Sequence, residues 1–78
     1  MRSLEFFKKK IRQFQEKKLQ EILDNIQFHQ YMKQEAEKRL IDDNSDKIKK
    51  EIKFNDKMIE IWQRNELKLR RQMDGLEG

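Results

Sequence analysis

The sequence predicts an all-α fold: a two-helix antiparallel hairpin that self-associates as a four-helix bundle or coiled coil. Three observations carry this. The 78 residues include no proline, and both glycines, Gly75 and Gly78, fall in the last four positions, so no strong backbone breaker precedes Gly75. Apolar residues are 35% of the chain and charged residues 44%, a balance that suits helices burying one stripe each. Turn and cap types gather only at Asp42, Asp43, Asn44, Ser45 and Asp46, which marks one bend. The whole chain, 1–78, reads as a single domain.

The first helix is expected over about residues 3–40, with Ser3 as a possible N-cap. Leu4, Phe7, Ile11 and Phe14 begin its apolar seam. Lys18 interrupts it, Leu19, Ile22 and Ile26 resume it one residue later, and Phe28, Met32, Ala36 and Leu40 follow at steps of four. That drift suggests a globular bundle rather than a long regular supercoil. Glu5–Lys9, Glu35–Arg39 and Glu60–Arg64 stand four apart, each worth tenths of a kcal/mol to a helix.

The bend is expected over about 41–45, and the second helix over about 45–74. Asp43, Asn44 and Ser45 are candidate N-caps, and Asp46 brings negative charge to the first turn. Gly75 is the expected C-terminal stop, with Arg70 and Arg71 in the last turn. Ile48, Ile52, Asn55, Ile59, Trp62, Glu66, Leu69, Met73 and Leu76 alternate in steps of four and three, a heptad seam with two polar members. Phe54, Met58 and Ile61 add a second stripe, wider than one partner helix covers.

Folded back antiparallel, positions that meet sum to about 86, which sets apolar on apolar at Phe28–Met58, Met32–Phe54, Leu19–Leu67 and Phe14–Met73. The expected core and oligomer contacts are therefore Ile22, Ile26, Phe28, Met32, Phe54, Met58, Ile59 and Trp62. Trp62 is the expected anchor, near Ile22, Leu23 and Ile26. Leu4, Phe6 and Phe7 overhang the end of the second helix.

Composition excludes several function classes. Without cysteine there is no disulfide or thiolate metal site, and the single histidine, His29, cannot build a histidine-based zinc site. No nucleophile-base pattern and no glycine-rich phosphate loop are present, so a non-enzyme without cofactor is expected. No apolar run approaches the roughly 18 residues that span a bilayer. The N-terminus runs directly into Lys8-Lys9-Lys10 without a secretory apolar region, and a cytoplasmic protein is the simplest expectation.

Charge is unevenly placed. Residues 1–20 carry +5, residues 21–60 carry −2 and residues 61–78 carry +1, giving the net +4. A hairpin gathers Lys8, Lys9, Lys10, Arg12, Lys17, Lys18, Arg64, Lys68, Arg70 and Arg71 at its open end. The expected role is a small regulatory or adaptor module that forms a homodimer and binds a protein partner. A nucleic-acid-binding dimer using the basic open end is the alternative, and a membrane-surface helix at the N-terminus a third.

Overall fold

The computed structural model describes residues 2–77, and the side chains of residues 3–75. Helix α1 runs Arg2–Asp42 and helix α2 runs Asp46–Glu77, with three residues between them. Among the described residues all backbone is helical or bend, and no helix is long and apolar enough to cross a membrane.

The bend forms where the polar cluster predicts it. The Asp43 amide still donates to the Arg39 carbonyl at 2.9 Å, so α1 closes its last turn there. Ser45 then caps α2: its Oγ accepts from the Ile48 amide at 3.2 Å, and its carbonyl accepts the Lys49 amide at 3.2 Å. This satisfies one of the orphan donors that every helix start leaves.

Three expected boundaries move. Helix α1 runs on through Ile41 and Asp42, past its expected end at about 40, so the bend is 43–45 rather than 41–45. Helix α1 already includes Ser3, so Ser3 is not its cap. Helix α2 runs through Gly75 to Glu77, and Gly75 has no positive φ; glycine costs a helix about 1 kcal/mol but does not end one unless the chain turns left-handed. Arg70 and Arg71 consequently lie before the last turn, which holds no basic residue. Leu76, the last heptad position, lies outside the described side chains.

The two helices pack against each other along their length as a rod of 63 × 15 × 13 Å. Its Cα radius of gyration is 18.0 Å, against about 11–12 Å for a globular domain of this length. Three cross-helix contacts show the antiparallel arrangement: His29 with Asn55, Lys33 with Asp56 and Arg39 with Glu51. The register is close to the expected one but not on it. His29 meets Asn55, whereas the expected sum places it against Lys57.

The core is thin. Ile22, Ile26 and Leu69 form its apolar cluster, with Leu19, Trp62 and Met73 packed on it, and Ala36 and Ile48 are buried nearer the bend. Along α2 the heptad holds: Ile48, Asn55 and Leu69 are buried, and Ile52, Ile59, Trp62, Glu66 and Met73 half-buried.

Along α1 the expected seam is corrected. From Leu19 and Ile22 it proceeds through Ile26, His29, Lys33, Ala36 and Leu40, with His29 buried where Phe28 was expected. Phe28 is 55% exposed, Phe54 58% and Phe14 70%. The pairings expected for them, and Leu19–Leu67 with Leu67 exposed, are not the hairpin's interior. A strict alternation of steps keeps one line facing the partner, and steps of four from Phe28 drift off that line.

Candidate interaction surface

The polar members of the seam explain its register. His29 Nδ1 and Asn55 Oδ1 stand 2.9 Å apart, and both residues are buried. The Asn55 amide nitrogen donates to the Glu51 carbonyl at 2.9 Å. Its oxygen must therefore accept, so the histidine tautomer that satisfies the pair carries its proton on Nδ1. Around this pair sit two aromatic rings. Phe28 meets the imidazole edge-on at a centroid distance of 5.2 Å, and Phe54 does so at 6.2 Å.

Phe28 and Phe54 each precede a seam residue. In an antiparallel pair that position points to the same side on both helices, because reversing a right-handed helix reverses both its location and its sense of rotation. One face of the hairpin is thereby defined in heptad columns. On α1 it carries Phe7, Phe14, Glu21, Phe28 and Glu35, beside Ile11, Lys18, Asn25 and Met32. On α2 it carries Phe54, Ile61 and Lys68, beside Met58, Asn65 and Gln72. An open groove of about 460 Å³ confirms that these columns share a side: Ile11, Phe14 and Lys18 line it from α1, and Asn65, Lys68 and Gln72 from α2. Gln15 and Leu69 also line the groove, and the Gln15 Oε1 is buried without a hydrogen-bond partner.

This face is apolar over most of its length. Phe7, Ile11, Phe14, Phe28, Phe54 and Ile61 are all exposed, and Met32 and Met58 are half-buried at its centre. The accessible surface of the chain is 6703 Å². A folded monomer of its mass exposes about 5,200 Å², so the rod leaves about 1,500 Å² more than a compact domain would.

The ten basic residues expected at the open end are all exposed. The fold brings Lys18 and Lys68 to one groove. Four of the ten pair locally: Arg12 with Glu16 at 3.7 Å, Lys18 with Glu21 at 3.7 Å, Arg64 with Glu60 at 2.6 Å and Arg70 with Glu66 at 2.8 Å. Lys10 lies 5.6 Å from the centre of the Phe6 ring. Lys8, Lys9, Lys17, Lys68 and Arg71 have no acidic partner among the described residues. Of the expected helix pairs, Glu60–Arg64 forms, whereas Arg39 crosses to Glu51 and Glu35 takes Lys38 instead.

Nearer the bend, Lys33 Nζ bonds Asp56 across the helices at 2.7 Å. The hydrogen bond and the charge of Asp56 raise the Lys33 pKa above its ordinary 10.5, with Glu37 adding a smaller push and partial burial opposing. Trp62 packs against the core cluster as expected, but its Nε1 is buried with no partner. Among the described residues no three His, Cys, Asp or Glu side chains converge as a metal site would require.

No protein family, curated protein or solved structure matches this chain.

Sequence reasoning placed Ile22, Ile26 and Trp62 in the interior and missed His29. The available signal was Asn55: a polar residue in one seam asks for a polar partner in the other, and extending Leu19, Ile22 and Ile26 in alternating steps lands on His29.

Proposed function

We propose that this chain is a non-enzymatic interaction module that works as a homodimer, closing its aromatic face against a second copy to make a four-helix bundle, in a regulatory or adaptor role. The observation that carries this reading is the exposure of Phe14, Phe28, Phe54 and Ile61 on one face of a rod whose own interior is only one seam wide. Monomeric proteins rarely leave large contiguous apolar patches in water.

Multi-angle light scattering tests it. The wild-type chain is expected to elute at twice 9.8 kDa at micromolar concentration. Phe28→Asp is expected to elute as a monomer with its helical spectrum largely kept, since Phe28 lies outside the hairpin core. A wild-type chain that stays at the monomer mass throughout removes the proposal.

A second reading is favoured by Lys8, Lys9, Lys17, Lys68 and Arg71, which lack acidic partners among the described residues at one end of the rod. On this reading the dimer offers its basic ends to phosphates. Lys8, Lys9 and Lys10 all changed to Gln would then weaken nucleic-acid binding and lower the log–log salt slope by roughly one per lost phosphate contact.

A further inference from the structure

Resting on the self-association just proposed, we infer that the second copy lies antiparallel to the first, with the open end of each hairpin against the bend half of the other. A twofold dimer that joins these faces has two choices. If the axis runs along the rod, the bends lie together and each open end meets its equal. If the axis crosses the rod, α1 packs on α1, α2 on α2, and the bends lie at opposite ends.

Between residues 11 and 32 the α1 part of the face reads the same in both directions about one level; beyond it Phe7 would meet Glu35. On α1 the column Phe14–Glu21–Phe28 is symmetric about Glu21, and the neighbouring column Ile11–Lys18–Asn25–Met32 is symmetric about a point beside it. A crossing axis at that level sets Phe14 on Phe28 of the other copy and Ile11 on Met32 of the other copy. The His29–Asn55 register puts Trp62 and Gln63 at the same height on α2, so Ile61 comes within about one turn of its own copy there. On α1 the apolar patch at the open end thus covers the one at the centre, whereas Phe54 and Met58 of α2 fall near Gln72 and Lys68 of the other copy. An axis along the rod instead stacks each α1 on the other copy's α2, which sets Phe28 and Met32 near Phe54 and Met58 but Ile11 and Phe14 against the polar column of Asn65, Lys68 and Gln72.

Charge separates the two arrangements further. The open half, residues 1–20 and 61–78, carries +5 and +1, and the bend half carries −2. The crossing axis sets positive against negative, whereas the other crowds the two positive halves together. The one like-charge approach is Glu21 with its copy on the axis, and each Glu21 brings its own Lys18 at 3.7 Å.

The test uses the full chain with a spin label at Asn44→Cys. Asn44 is exposed in the bend, and the chain has no cysteine of its own. Pulsed dipolar spectroscopy is expected to give a label separation of roughly 65 Å, from the rise of 1.5 Å per residue between Glu21 and the bend on each copy. Added salt is expected to weaken the dimer, as attraction between unlike halves requires. A separation under about 20 Å in a dimer of confirmed mass overturns the antiparallel arrangement while leaving self-association intact. A monomer with no dipolar signal overturns both.

Discussion

At the scale of single residues, the interior of this hairpin is decided by one polar contact. Burying His29 and Asn55 is tolerable only because each completes the other, and the Asn55 amide is held by the Glu51 carbonyl. Asn55→Leu leaves the histidine donor unpaired in the core, and unfolding stability is expected to fall by about 1–3 kcal/mol. The double change His29→Leu with Asn55→Leu is expected to recover most of that loss, because no unpaired group remains. Chemical denaturation of the single and double variants checks this. Lys33 supplies a second prediction. Asp56 raises its folded pKa, so the pair stabilises fully below the ordinary pKa near 10.5 and loses its contribution as pH rises through the folded value. The thermal midpoint is expected to fall on alkaline titration more steeply for the wild type than for Lys33→Gln.

At the scale of the elements, both ends of α2 are informative. Ser45 supplies the one side-chain cap at the bend, and Ser45→Ala is expected to cost about 1 kcal/mol, read as a lower thermal midpoint. Gly75 behaves in the opposite way. It sits in a helix without positive φ, and a Cβ there meets nothing within 4 Å. Gly75→Ala is therefore expected to stabilise by up to about 1 kcal/mol and to raise the helical signal. The regular heptad of α2 and the Ser45 bend were legible in the sequence, because each is a local pattern with one physical meaning. The seam of α1 was not fully legible. Phe28 and His29 are neighbours, and hydrophobicity alone ranks phenylalanine inward. The step pattern and the polar Asn55 opposite favour histidine, and these are tertiary facts. Likewise the helix through Gly75 was hidden, since glycine near a chain end reads as a stop whether or not the backbone turns there.

At the scale of the whole molecule, the sequence pattern and the coordinates agree that the chain has more apolar face than one hairpin can use. Displacing Phe28, Phe54 and Phe14 from the seam removes them from the hairpin interior and assembles them on one side. The fold therefore moves these residues from core to surface without relieving the need to cover them. The polarised charge acts along the same rod, and in the proposed dimer its unlike halves give the second copy a preferred direction. Ile61→Asp is expected to abolish association with little loss of helix, because Ile61 is exposed in the hairpin and central to the proposed contact.

Small-angle X-ray scattering of the wild-type chain tests the central claim most directly, since it reports mass and length together. The account predicts a forward intensity for two chains of 9.8 kDa and a longest dimension close to the 63 Å of one hairpin, as two rods side by side require. A mass of one chain at every concentration, or a dimer of nearly twice that length, contradicts it.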